Sequence, residues 1–270
     1  MRVPFVKMNG LGNDFIIFDA RHQKIELSTS EIKRLSNRKN IGCDQLVVLE
    51  ESNKADCLMV IYNSDGSLSG ACGNATRCVA SILFTENNSN EAKIETEAGI
   101  LNCLQTQDNL ISVHMGIPKF EWQEIPLQEK NNSQEIHLHG FKFCCVNVGN
   151  PHAVTFVEKA ISDKEFFEIG PKVETDKIFP KKTNVEFAQI LSDNLIEVRV
   201  WERGAGETLA CGSGACAVGI LAIKHKLINS NKITVRFKGG DLIIEWNGKN
   251  SSVIMTGGFE KIFDGLIEIN

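Results

Sequence analysis

Two cysteines in this 270-residue chain stand where a thiol can handle protons. Cys72 lies in "GSLSGACGNATRCVASI" and Cys211 in "GETLACGSGACAVGI". Each follows small, turn-forming residues and precedes an apolar run of helical character, so each thiol is expected at a helix start. The first N–H groups of a helix have no intrahelical partners and carry the positive end of its dipole. A thiolate is favoured there, and a carboxylate can rest on the same N–H groups. Gly73, Gly212 and Gly214 let a ligand approach the backbone closely. One such cysteine suggests a nucleophile. Two related by symmetry suggest an acid/base pair working on opposite sides of one ligand. One thiolate removes an α-proton and the opposite thiol returns one, which inverts a stereocentre without an organic cofactor. The α-proton of an amino acid is weakly acidic. N–H groups aimed at the carboxylate offset this by stabilising its developing enolate charge in a water-excluded site.

The elements that position these cysteines occur twice. Cys72 and Cys211 are 139 positions apart, and at that spacing "MVIYNSDGSLSGACG" overlies "VRVWERGAGETLACG" without a gap. The same shift puts Gln45 on Asn184, Asn63 on Glu202 and "KIE" at Lys93 on "KIT" at Lys232. Near the N-terminus the spacing drifts by two, with "GNDFIIF" at Gly12 over "GNPHAVTF" at Gly149. The repeated order is a Gly-Asn turn, a strand with an amide, a strand with an aromatic, a Gly-rich turn, cysteine and helix. Two copies of one domain follow, over 1–117 and 118–262. Short runs such as "FIIFDA", "QLVVLE", "CLMVIYN", "IEVRVWE" and "LIIEW" read as strands. Helices are expected at "STSEIKRLSNRK" and after each of the two cysteines. The fold class is therefore α+β, each copy a mostly antiparallel, barrel-like sheet around a central helix. The polar stretch "QEKNNSQE", Gln128 to Glu135, reads as an exposed loop near the join.

Composition narrows the partners. A net charge of −5 with no long basic run argues against nucleic acid and anionic membranes. The N-terminus lacks the apolar run of a signal peptide, and no window is apolar enough for a span, so a cytoplasmic protein is expected. Nine cysteines, an odd number, argue against a disulfide framework. No Cys-x-x-Cys pair or zinc-like His spacing occurs, so no metal site and no cofactor are expected. Cys57, Cys103, Cys144 and Cys145 read as small core hydrophobes, as do Cys78 and Cys216; Cys43, in "GCDQ", reads either as buried, the favoured reading, or as near the ligand. "GLGNDF" lacks the third glycine of a dinucleotide fingerprint. Ser213 is no hydrolase nucleophile, because Cys211 stands where Gly-x-Ser-x-Gly needs glycine.

At "MNGLGNDF", "GCDQ", "YNSDGS", "ACGNATRC", "GNPHAV", "TNVEF" and "WERGAGETLACGSGACA" the chain resembles the diaminopimelate epimerases, in order and over nearly its whole length. The resemblance implies a two-domain, cofactor-independent isomerase interconverting LL- and meso-2,6-diaminopimelate, a step in lysine and peptidoglycan precursor biosynthesis. Its wider fold group includes proline racemases, hydroxyproline epimerases and a phenazine-pathway isomerase. Cys72 and Cys211 are similar to the family's acid/base thiols. Gly73, Asn74, Gly212 and Ser213 correspond to the cradle for the reacting carboxylate. Asn13, Gln45, Asn63, Asn150, Asn184, Glu202 and Arg203 fall where the family binds substrate. His152 and Glu202 fall where it tunes the cysteines' protonation. These types suit a ligand with two ammonium and two carboxylate ends: Arg203 can grip a carboxylate with two bonds, and Asn or Gln offers donor and acceptor on one group. The resemblance further implies a homodimer with a contact at Phe263, and a C-terminal segment 263–270 that packs back on the first half.

The chain departs from the family pattern at Ala75 and Ala153, where glycine and cysteine are common, at Asn9 for histidine, and at Phe263 for tyrosine. The last puts the dimer contact in doubt, not the chemistry. Two rivals remain: a racemase of proline type, and a duplicated amino-acid-binding protein without catalysis. Arg203, Asn63 and Asn184 argue against a small cyclic substrate, and paired cysteines are not needed for binding alone. Deuterium wash-in at the α-carbon discriminates catalysis from binding.

Overall fold

A computed structural model describes every residue except 71, 129–131 and 270. Its contacts divide the chain into two units, Met1–Val113 with Gly257–Asn270, and His114–Thr256. The first stretch ends at Val113 and the returning segment begins at Gly257, where the repeat had placed the limits at 117 and 263.

The first unit runs through β1 (Arg2–Gly10), β2 (Asn13–Asp19), α1 (Thr29–Ser36), β3 (Gln45–Glu50), β4 (Cys57–Asn63), β5 (Leu68–Ser69), α2 (Gly73–Asn87), β6 (Glu91–Thr96), β7 (Gly99–Gln105) and β8 (Ile111–His114). The second runs through β9 (Ile136–Leu138), β10 (Phe141–Asn147), β11 (Pro151–Val157), α3 (Asp163–Glu174), β12 (Asn184–Ser192), β13 (Leu195–Glu202), β14 (Gly206–Glu207), α4 (Gly212–Lys224), β15 (Lys232–Phe237), β16 (Gly240–Glu245) and β17 (Ile254–Gly257). The last strand, β18 (Glu260–Glu268), pairs antiparallel with β1 along its length.

The pairing repeats with the sequence. In the first unit β1–β2, β3–β4, β4–β5 and β6–β7 are antiparallel, while β2–β3 and β4–β6 are parallel. In the second, β10–β11, β12–β13, β13–β14 and β15–β16 are antiparallel, while β11–β12 and β13–β15 are parallel. Parallel neighbours require a crossover. The helices supply it: α1 and α3 inside the first parallel pair of each unit, α2 and α4 inside the second.

α2 and α4 lack the polar face of a surface helix because sheet covers them. In α2 every residue from Gly73 to Ser81 is buried, and in α4 every residue from Gly214 to Ala222. Gly219 makes the close approach of α4 to β16 possible, since a Cβ there would lie 2.8 Å from Ile244 Cγ2 and 3.0 Å from Ile244 Cβ. Gly219→Ala is expected to destabilise the protein by about 1–3 kcal/mol, measured by urea denaturation, because a packed β-branched side chain must shift. One core of the first unit gathers Val3, Phe5, Ile16, Phe18, Leu35 and Leu46. The second unit's gathers Phe143, Phe166, Val173, Val185 and Phe187 around Ile125.

Two local readings are corrected. The helix α3 was not read from "DKEFFEIGPKVE", where Gly170 and Pro171 disguise it. It opens on a capping box formed by Ser162 and Glu165, as α1 does on Ser28 and Glu31. Gly170 is required there because a Cβ would stand 3.0 Å from Trp201 Cγ. The stretch 128–135 is not simply an exposed loop. Its residues 129–131 lie outside the described residues, but Ser133 is buried and its hydroxyl donates to Phe120 O at 2.7 Å. Gln134 donates to Cys145 O at 3.0 Å. All nine cysteines are free, and all but Cys72 are buried. No helix among the described residues is long and apolar enough to cross a membrane.

Candidate active site

In the first unit the β1–β2 hairpin brings Asn13 to the start of α2. Its two-residue turn puts both Leu11 (φ +59°) and Gly12 (φ +84°) in the left-handed region, the conformation such hairpins need. Gly10 presses on the first turn of α2, since a Cβ there would lie 3.1 Å from Asn74 Cβ. Cys72 is the N-cap of α2, in extended backbone. Its thiol donates to Asn13 Oδ1 at 3.6 Å, and Asn74 Nδ2 donates to the same oxygen at 3.5 Å. The Asn13 NH2 is held by Asp44 Oδ2 at 3.1 Å. Behind Asp44 stands an ionic network. Arg38 grips Asp14 with two bonds of 2.7 Å and reaches Asp44 at 2.6 Å, and Lys7 bonds Asp14 and Gly42 O. Burial pushes the Asp14 carboxyl up, but the bonds from Arg38 and Lys7 outweigh it and leave it well below the usual carboxylate range.

Gln45 and Asn63 face each other across β3 and β4, with Gln45 Nε2 donating to Asn63 Oδ1 at 3.0 Å. Asn63 in turn donates to Ser67 Oγ at 3.0 Å. Asn74 is buried and fixed by Arg77, whose guanidinium donates to Asn74 Oδ1 at 2.9 Å, Gly258 O at 3.0 Å and Gly73 O at 3.4 Å.

In the second unit Cys211 is the N-cap of α4. Gly214 N–H donates to its Sγ at 3.4 Å, and Ser213 Oγ lies 3.5 Å away. Burial pushes the Cys211 thiol well above its ordinary range. The Glu202 and Glu186 carboxylates push it further, against the Ser213 and Gly214 hydrogen bonds. Cys211 is therefore held as the thiol, the acid form. Burial also raises the Glu202 carboxyl, opposed by hydrogen bonds from Thr208, at 2.5 Å, and from Cys211. His152 and Glu186 are both fully buried, on the adjacent parallel strands β11 and β12. His152 Nδ1 stands 2.6 Å from Glu186 Oε1, and Nε2 stands 2.8 Å from Asn150 Oδ1. Gly214 admits this carboxylate beneath the start of α4, since a Cβ there would lie 2.9 Å from Glu186 Oε1. Asn184 is buried between Pro151 O and Arg203 N–H, both at 2.9 Å. The amide thereby ties the ends of β11 and β13 together. Arg203, just past β13, is exposed, with its guanidinium 3.4 Å from Lys181 O.

In each unit, then, a cysteine caps a buried helix among amides supplied by the neighbouring strand ends. A family model described as "Diaminopimelate epimerase" matches residues 5–121 and 144–262, one segment from each half of this arrangement. The chain belongs to the diaminopimelate epimerase family. A diaminopimelate epimerase of Methanococcus maripaludis is 44% identical to it, covering 99% of this chain and 100% of its own. That of Acetivibrio thermocellus is 41% identical, covering 98% and 99%. The diaminopimelate epimerase fold, two repeated units each with a sheet around a helix, extends to distant solved structures. A hydroxyproline epimerase from Agrobacterium vitis superposes with a TM-score of 0.68 at 14% identity, covering 98% of this chain and 92% of its own. A phenazine biosynthesis protein of the PhzF family from Bacillus anthracis has a TM-score of 0.68 at 14% identity, with both chains covered in full.

Four residues that sequence reasoning had not singled out contact the candidate residues: Asp44, Arg77, Glu186 and Thr208. A signal existed for Glu186. The 139-residue shift lays it over Val47, so an acid replaces an apolar strand residue that is itself fully buried.

Proposed function

We propose that this chain is a diaminopimelate epimerase that interconverts LL- and meso-2,6-diaminopimelate with Cys72 and Cys211 as its acid/base pair. The observation that carries the reading is the repeated placement of a thiol at the N-cap of the buried helix in both units of a chain from this family. Asn13, Gln45, Asn63 and Asn74 in one unit, and Asn150, Asn184, Glu202 and Arg203 in the other, bind the substrate's ammonium and carboxylate groups. Gly73, Gly212 and Ser213 offer N–H groups to the carboxylate beside the reacting carbon.

One sulfur, as thiolate, takes the α-proton. The electron pair left on carbon spreads into the carboxylate, which takes enolate character against the helix N–H groups. The other sulfur, as thiol, delivers its proton to the opposite face of the same carbon. Only one C–H bond breaks and one forms, and nothing is oxidised or reduced. The sulfurs finish with exchanged protonation states and reset through solvent. Glu202 and His152 govern this protonation on the Cys211 side. Run from LL-substrate, Cys211 suits the donor, because its surroundings hold it as the acid.

The enzyme works in the cytoplasm, where nine free thiols persist, and it serves lysine and peptidoglycan precursor synthesis. It forms a homodimer through β18. Ile262, Phe263 and Leu266 on that strand are exposed, and among the described residues β1 is the one strand paired with β18. A long apolar edge strand calls for cover. The Phe263 ring packs edge-on against Phe5, centroids 5.9 Å apart.

The test is incubation with LL-diaminopimelate in D₂O. Deuterium is expected at the α-carbon of the inverted product, with the rate unchanged by EDTA. Inversion that retained the substrate's own hydrogen, or loss of turnover restored by a divalent metal, would overturn the two-thiol reading.

A further inference from the structure

The repeat is broken behind one cysteine only. In register, His152 pairs with Asn184 on the parallel strands β11 and β12, as Phe15 pairs with Gln45 on β2 and β3. Two residues along, Glu186 stands where the first unit has Val47. The first unit therefore fills this place with a fully buried Phe–Val pair, and the second with a fully buried His–Glu pair. The fold does not require the acid, since an apolar pair serves the same place elsewhere in the same chain. Stability does not favour it either. Glu186 Oε2 is the one buried side-chain polar atom without a hydrogen-bond partner among the described residues, and such a group costs free energy.

What the pair does is legible from its acceptors. The contact between His152 Nδ1 and Glu186 Oε1 contains one proton. Asn150 Oδ1 can only accept, so His152 Nε2 carries a second. With Glu186 engaged at Nδ1, the ring is held so that Nε2 donates to Asn150 Oδ1. We propose that Glu186 is a positioning residue: through His152 it holds Asn150 with its oxygen inward, so that the amide presents its NH2 to a substrate carboxylate. The repeat-related Asn13 is set the other way. Asp44 holds its NH2, and its oxygen faces Cys72 and Asn74.

The inference rests on the proposed epimerase reading for the identity of the ligand, but its first test needs no turnover. Full-length protein labelled with ¹⁵N-histidine is examined by NMR near neutral pH, with His152 assigned by its loss in His152→Phe. The Nε2 nitrogen is expected protonated in the native protein. A bare Nε2 in the native protein overturns the proposal, whatever the enzyme's activity. The second test is kinetic, with diaminopimelate. Glu186→Val is expected to raise KM about tenfold or more, as loss of a hydrogen bond to a charged group does, with kcat changed far less. In an Asn150→Ala background the same substitution is expected to add nothing, because its effect passes through that amide. Additive penalties, or a loss confined to kcat, overturn it. The swap His152→Phe with Glu186→Val copies the pair already packed in the first unit. It is expected to fold and to raise KM as Glu186→Val does, and a native KM in the folded swap overturns the proposal. Failure of the epimerase reading would look different, with cysteine variants retaining turnover while the His152 signals stay as expected.

Discussion

Alanine at position 211 will leave a folded protein that no longer epimerises diaminopimelate, and alanine at 72 will do the same. A positioned acid or base contributes about 10²–10⁴-fold to a proton-transfer step, so either loss should cut turnover by about 10³-fold. Neither substitution removes much structure. Cys211 is buried and accepts one bond from Gly214 N–H, whose companion Ala215 N–H is already satisfied by Cys211 O at 2.9 Å. Loss of the weak sulfur cap should cost about 1 kcal/mol or less, so thermal midpoints are expected to shift by only a few degrees. Serine at either position should restore little, because a hydroxyl is a far weaker acid than a thiol. The measurement is chromatographic separation of LL- and meso-diaminopimelate after timed incubation, beside a thermal melt. Near-native turnover in Cys72→Ala would remove the two-base mechanism. A melt lowered by tens of degrees would assign the cysteine a structural role instead.

Arg77→Ala is expected to be the most damaging single change outside the thiols. Arg77 is fully buried within α2 and is the largest side chain so enclosed. Its removal strands Asn74 Oδ1, takes a bond from the Gly258 carbonyl, and leaves a large void. Together these should cost about 3–5 kcal/mol, the scale of deleting a large buried side chain, read as the shift in a urea midpoint. Arg77→Lys should recover little, because one ammonium cannot reach three acceptors in a planar fan. Where Arg77→Ala stays folded at low temperature, KM should rise as well, since Asn74 loses the bond that fixes its amide. A loss below about 1 kcal/mol would mean that water replaces the guanidinium, as it readily does at exposed sites.

What the sequence made legible, and what it hid, has a common physical basis. The two cysteines stood out because duplication repeats them with their glycines, and a helix start has one local grammar. α1 announced itself through Ser28 and Glu31. The equally well-capped α3 was masked by Gly170 and Pro171, residues that usually end a helix, although Gly170 here admits Trp201 to its flank. Ser133 sits in a polar stretch yet is buried, because its hydroxyl finds a backbone carbonyl that sequence cannot point to. Arg77 reads like the solvent face of a helix, and only the enclosing sheet makes it a core residue. Glu186 was hidden for the opposite reason. A strand pattern says which face an acid occupies, but not that a histidine from the neighbouring strand will meet it there.

The pairing of β18 with β1 has a consequence for how the protein is made. Residues 1–113 leave the ribosome long before their closing strand exists, and β1 must wait for β18 to be synthesised. Beyond that strand, Met1 N donates to Ile269 O at 2.6 Å and Ile269 N to Met1 O at 2.9 Å. His114–Thr256 is continuous and carries no such debt to later sequence. Vectorial synthesis therefore lets the second unit complete its fold before the first. During that interval β1 offers a nine-residue open edge, the kind of surface on which nascent chains aggregate or recruit a chaperone.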